Sequence, residues 1–144
     1  MRVKASTVVS RPVEEVFPYV ADLSTTSEWD PNIAEARKLT SGDVVVGSEF
    51  ELVAELRGRR IPFHYRLTEL EGGKKFVAEG RGDKAVSIDD VTFERANGGT
   101  KVIWAADIHL TGVRRIVDPL LWPMYRKMGR DAMSGLKAKL EPPG

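Results

Sequence analysis

Asp89 is the residue of this chain with the strongest case for chemistry. It shares a period-two face with Ser87, Val91 and Phe93, so if that face turns inward a carboxylate goes with it. A buried carboxylate is costly unless paired, and one held among apolar groups can serve as general base or ligand anchor. The plainer reading, and the favoured one, is a strand-end aspartate in water, with Asp90 exposed on the opposite face. Tyr65 and Tyr125 are the other candidates for proton transfer. A buried phenol needs a hydrogen-bond partner and is a natural polar handle for a ligand. Asp107 and His109, two positions apart, pair an acid with a histidine, as acid–base chemistry can use. They lie on the outer face of their strand, however, and read as a solvated pair. His64 also falls outside. The acidic row Glu49, Glu51 and Glu55 and the basic turn Arg57, Arg59 and Arg60 read as solvated surface.

The bulk composition removes several function classes. A chain of 144 residues is one domain on size, here 1–144, and buries about 68–70% of its unfolded surface. It is 42% hydrophobic and 30% charged, as a soluble globular protein is. A net charge of +1 gives no reason to expect a nucleic-acid or anionic-membrane partner. Without cysteine there is neither disulfide nor thiolate chemistry. Two well-separated histidines leave little for a transition-metal site, and no other cofactor is expected. No run is long enough to span a membrane. The chain turns polar by Lys4, which speaks against a signal peptide, so cytoplasm is the expected compartment.

The elements that must position these side chains follow from periodicity. Val3, Ala5, Thr7 and Val9 alternate with polar residues as a first strand. Ser10 is a candidate N-cap for a short helix with Pro12 and two glutamates at its start and Val13, Val16, Phe17 and Val20 on its apolar face. Pro18 shortens or bends that helix. Thr25 to Glu28 add a turn, and Trp29-Asp30-Pro31 ends it in extended chain. From Ile33 to Leu110 six strands alternate with turns at Ser41-Gly42-Asp43, Arg57-Gly58-Arg59, Gly72-Gly73, Arg81-Gly82-Asp83 and Asn97-Gly98-Gly99. Short strands with tight turns predict an antiparallel meander. Its twist makes it curl.

The last quarter reads as one long helix. Leu121, Tyr125, Met128, Ala132, Leu136 and Leu140 form a stripe at spacings of three and four. From Asp118 to Leu140 it would span roughly 35 Å, with Asp118 as N-cap and Pro119 in first position. If the helix instead begins at Val113, Pro119 and Pro123 kink it and its first turns can gate what lies beneath. Gly129 and Gly135 each cost about 1 kcal/mol in a helix and permit close approach or motion. Trp29 plugs one end of the fold, with a pocket-lip role as the lesser reading.

Six stretches then stand in a telling order. They are Ser10-Arg11-Pro12-Val13-Glu14-Glu15-Val16-Phe17, Trp29-Asp30-Pro31, Gly47-Ser48-Glu49-Phe50, Tyr65-Arg66-Leu67-Thr68-Glu69, Gly98-Gly99-Thr100-Lys101-Val102 and Gly135-Leu136-Lys137. Together they resemble the START/SRPBCC superfamily, the helix-grip fold of polyketide cyclase-like proteins, birch-pollen-allergen-like proteins and lipid-transfer domains. The resemblance implies an α+β fold, with a curved antiparallel sheet of about seven strands wrapped around a long C-terminal helix and two short helices after the first strand. It also implies a ligand cavity between sheet and helix, but not a reaction.

An empty apolar void of about 300 Å³ would cost near 7 kcal/mol, so such a cavity must be filled, wetted or collapsed. The expected ligand-contact residues are Phe50, Leu52, Phe63, Tyr65, Phe76, Phe93, Trp104, Ala106 and Ile108 from the sheet and Leu121, Tyr125 and Met128 from the helix. Leu67 shares the sheet face. About two in three of these should be plain packing. The expected function is binding of a small hydrophobic or aromatic molecule of lipid, polyketide or quinone type. The runner-up is an aromatase/cyclase-like enzyme that steers cyclisation or dehydration by confinement. A third reading is a surface-acting adaptor or chaperone, which an exposed patch at Val113, Ile116, Val117 and Trp122 would favour. No stable membrane insertion is expected, and weak homodimerisation is the one self-contact left open.

Overall fold

A computed structural model describes residues 1–111 and 121–141. The order is β1 (Arg2–Val9), α1 (Val13–Ala21), a 3-10 turn (Leu23–Thr25), α2 (Thr26–Trp29), β2 (Ile33–Lys38), β3 (Glu49–Leu56), β4 (Arg59–Glu71), β5 (Lys75–Arg81), β6 (Ala85–Ala96), β7 (Gly99–Leu110) and α3 (Leu121–Leu140). The seven strands form one antiparallel sheet in the order β1-β7-β6-β5-β4-β3-β2. Chain neighbours are sheet neighbours except at β1, which leaves the meander for α1 and α2 and pairs with β7 at the far edge.

Local chemistry sets the hairpins and the curl. Arg57 and Gly58 both have positive φ (51° and 79°), as do Asn97 and Gly98 (45° and 78°). This is the mirror-image turn whose twist matches right-handed strands. Register shifts between Ile33 and Glu35 in β2 and between Leu67 and Glu69 in β4 bend the sheet at two places.

The helices differ from expectation at their starts. α1 begins at Val13, and its N-cap is Pro12 without a side-chain cap, so Ser10 does not serve. The Pro12 carbonyl instead accepts from the amides of Glu15 and Val16 at 3.0 and 3.1 Å. Proline suits that position because the N–H it lacks is one a helix start would leave unpaired. The expected cap Asp118 and the Pro119 start fall in 112–120, outside the described residues, as do Val113, Ile116 and Val117; of the two prolines expected to kink the helix, only Pro123 is described, in the first turn of α3. Trp122 is 43% exposed, with the Arg126 guanidinium 4.5 Å over its ring.

The inner face of the sheet is divided along its length. At one end α1 and the last turns of α3 fill it. Phe17 packs edge-on against Phe93 at 4.9 Å and Phe76 at 6.4 Å, and Val16, Val20 and Leu136 have no exposed surface. The Arg11 guanidinium there donates to the Leu140 carbonyl, satisfying one of the unpaired acceptors of a helix C-terminus. The buried stripe of α3 is Met133, Leu136 and Leu140, with Ala132 half-buried at its margin. Gly135 is needed for close approach, since a Cβ there would lie 2.0 Å from the Trp29 carbonyl oxygen. Gly129 has room: its Cβ would meet Ala5 and Val3 at 3.4 and 3.5 Å. The other end of the face is covered by the first turns of α3 and by α2, and it is not filled.

Candidate functional site

That unfilled end is a cavity of about 480 Å³, within the usual range of small-molecule pockets, about 300–1,000 Å³. Trp29, Leu52, Ala54, Phe63, Trp104, Ala106 and Ile108 form much of its apolar wall. Tyr125, Met128, Gly129, Ala132 and Met133 of α3 close it.

The cross-strand rows explain why there is space. One row runs Leu67, Ala78, Asp89, Ala106, Val3; the next runs Phe50, Tyr65, Gly80, Ser87, Ile108. Ala78 and Ala106 flank Asp89, and Gly80 flanks Ser87. Directly opposed side chains lie close enough to pack, so the small Ala106 leaves volume above it, while Ala78 is covered by the core. Gly80 does more. A Cβ there would lie 2.4 Å from the Tyr65 ring, so that ring lies flat across β5. This brings the phenol to Ser87 on the following strand, with which it hydrogen-bonds. Gly82 admits the Phe63 ring in the same way, at 2.8 Å.

A polar chain therefore crosses an apolar wall. The Ser87 hydroxyl donates to Asp89 Oδ1 at 2.6 Å, and the Trp104 indole N–H also donates to that carboxylate. Asp89 is 7% exposed. Its favoured reading as a solvated aspartate is thus overturned, because Asp89 continues the buried face of β6 that Val91 and Phe93 form. Burial lifts its carboxyl from 3.8 to about 6, against the pull of the two donors. Burial, and then the Asp89 charge, push the Tyr65 phenol well above its ordinary value. A second carboxylate, Asp30, faces the cavity from the loop after α2. Burial raises it to about 6 too, although it accepts from Asn32 N and Nδ2 at 2.9 and 3.0 Å. The Asn32 amide also donates to the Met128 carbonyl at 3.2 Å, tying this loop to α3.

Of the twelve expected ligand-contact residues, Leu52, Phe63, Tyr65, Trp104, Ala106, Ile108, Tyr125 and Met128 lie on the cavity wall. Phe50, Phe76 and Phe93 do not. They share the inward face but are packed into the core, Phe76 and Phe93 at the end that Phe17 fills, and their exposure is 0%, 0% and 6%. Leu121 is half-buried and off the wall. Trp29, 4% exposed, is a wall residue packed edge-on to Trp104 at 5.7 Å. Its indole N–H has no hydrogen-bond partner among the described residues. Sequence reasoning misses Asp30 and Asn32 as site residues. The signal available was an aspartate just before a proline at the end of a helix, where its carboxylate can accept from the chain two residues on. Asp107 and His109 lie 3.6 Å apart, 44% and 57% exposed, on the outer face, and His64 pairs outside with Glu49 at 2.9 Å. Among the described residues no cluster of three or more His, Asp or Glu could hold a metal ion. No helix there is long and apolar enough to cross a membrane.

A curled seven-stranded antiparallel sheet closed around a C-terminal helix, with two short helices after β1, is the helix-grip fold. Three solved structures share it across nearly the full chain. A protein from Thermus thermophilus aligns with TM-score 0.79 at 17% identity, covering 97% of both chains. A START superfamily protein from Mycobacterium smegmatis aligns with TM-score 0.77 at 15% identity over 96% of both. Ginseng major latex-like protein 151 from Panax ginseng gives 0.76 at 13% identity over 99% of this chain and 98% of its own. The family described as polyketide cyclase / dehydrase and lipid transport matches residues 1–141, and the chain belongs to it. No curated protein matches the chain by sequence.

Proposed function

We propose that this protein binds a small hydrophobic or aromatic molecule in the cavity between the sheet and α3. The observation that carries the reading is the 480 Å³ space itself, apolar on most of its wall with a short polar chain on one side. Left dry, a void of that size would cost about 11 kcal/mol, comparable to the whole stability of a typical domain. A bound apolar molecule removes that cost, with Asp89, Ser87 and Tyr65 to orient it. The family description, which includes lipid transport, agrees with this.

Titration with the neutral fluorescent probe N-phenyl-1-naphthylamine tests it. Saturable binding with a shift in tryptophan emission is expected, because Trp104 and Trp29 both stand on the wall. Ala106→Leu should weaken binding at least tenfold while leaving stability equal or higher. Ala78→Leu, at a core position with 1% exposure and off the wall, should cost about 1–3 kcal/mol by overpacking with little effect on affinity. If the probe does not saturate and Ala106→Leu merely destabilises, the reading is wrong. Native mass spectrometry of gently purified protein should in addition show a co-purified small molecule.

One observation favours a second reading, a cyclase-like enzyme. The Asp89 carboxyl, at about 6, is matched to proton transfer near neutral pH, and the Tyr65 hydroxyl stands two hydrogen bonds from it. With a β-polyketone in the cavity, Asp89 would take the proton between two carbonyls and Tyr65 would donate to the enolate oxygen. Loss of turnover in Asp89→Asn with unchanged ligand affinity would establish this; binding without any turnover would leave the carrier.

A further inference from the structure

The cavity has two electrically different ends. Deep in the fold its two acidic groups, among the hydroxyls of Ser87 and Tyr65 and the Asn32 amide, are Asp89 and Asp30. Where exposed residues join the wall, the cavity meets solvent. They come from the β3–β4 hairpin, Arg59 and Arg60, and from the β5–β6 turn, Asp83 and Lys84. Arg60 is shared with Glu35 at 3.4 Å, both side chains more than 60% exposed. Neither Arg59 nor Lys84 has an ion-pair partner among the described residues. Three cations against Asp83 on the wall and Glu35 beside Arg60 leave these described residues with an excess of positive charge. A net charge of +1 over the whole chain does not require this; the hairpins put the cations there.

We infer that the ligand is an amphipathic organic anion, apolar along its body, with its carboxylate or similar group at the Arg59–Arg60–Lys84 mouth and its inner end neutral. This rests on the binding reading above. Both ends select the same orientation. An anion placed deep would face two carboxylates in low-dielectric surroundings, where like charges repel strongly. At the mouth it stays partly hydrated and meets three cations. A hydroxyl at the inner end could donate to Asp89, which has lone pairs left after accepting from Ser87 and Trp104.

Displacement of N-phenyl-1-naphthylamine by decanoate, decanol and decylammonium at pH 7.5 tests the inference, since the three share a chain and differ in the head. Decanoate is expected to displace the probe at least tenfold more effectively than decanol, with decylammonium the weakest. Raising salt from 50 to 500 mM should erode the decanoate advantage and leave decanol unchanged, as screening of exposed charges requires. In Arg59→Gln/Arg60→Gln/Lys84→Gln, decanoate should fall to the level of decanol, both measured against the probe affinity of the variant itself. Those residues are on the surface, so an unchanged thermal midpoint should certify the fold. Equal displacement by decanoate and decanol, a preference that survives in the triple variant, or decylammonium as the best competitor would each overturn the inference with the binding reading intact. So would decanoate failing to displace a bound probe. If the probe itself does not bind, the binding reading falls and this inference with it.

Discussion

Replacing Asp89 by asparagine should make the protein more stable at neutral pH, although it removes a carboxylate that accepts two hydrogen bonds. The reason is the burial of the charge. The Asp89 carboxyl is raised from 3.8 to about 6 by desolvation, and its donors Ser87 and Trp104 reduce that cost without cancelling it. Between those values the folded protein keeps a proton that the unfolded chain has released. The stabilisation is therefore complete below pH 3.8 and is lost as pH rises through 6. A rise of that size corresponds to about 3 kcal/mol, an upper figure because the effective dielectric at buried sites exceeds that of a dry interior. Asparagine keeps a carbonyl oxygen that can accept from Ser87 and never ionises. At pH 7.5 the variant should exceed wild type by about 1–3 kcal/mol, and at pH 4 the two should nearly coincide. Urea denaturation followed by far-ultraviolet circular dichroism at both pH values measures this, with the difference read from the midpoint at constant slope. Equal destabilisation at both pH values would mean that hydrogen bonding outweighs charge burial at this site. No change at either would mean a solvated carboxylate. Either result refutes the argument.

Gly135→Ala should destabilise by roughly 1–3 kcal/mol as overpacking does, since its Cβ would strike the Trp29 carbonyl at 2.0 Å. Gly129→Ala should instead stabilise by up to about 1 kcal/mol through helix propensity; thermal melts of the two side by side decide. Phe93→Ala, at the filled end, should cost about 3–5 kcal/mol with probe affinity unchanged at temperatures where it stays folded. Phe63→Ala, on the cavity wall, should cost clearly less and alter affinity. Denaturation and probe titration on both variants check the division of the inner face.

Much of this molecule was legible in the sequence because its signals are local. Alternation over two residues gave the strands, Asn97-Gly98 and Arg57-Gly58 their hairpins, and spacings of three and four the C-terminal helix. The same alternation put Trp104 inside and Asp107 and His109 outside. Periodicity names a face, however, not what fills it. Phe50, Phe76 and Phe93 share a face with Phe63, Tyr65 and Trp104, yet the first three pack solidly and the second three border empty space. That difference comes from where α1 and the last turns of α3 lie over the sheet, which no local pattern encodes. Asp89 turns on the same distinction. Its place on the inward face could be read from Val91 and Phe93, but its burial depends on how far the covering helices extend along β6. The polar chain from Tyr65 through Ser87 to Asp89 depends on register, because Gly80 must stand opposite Tyr65 for the ring to cross β5. Residue types and periods follow from the chain itself. Which rows meet across seven strands, and which end of the curl is left unfilled, are set by long-range pairing and by the placement of the helices.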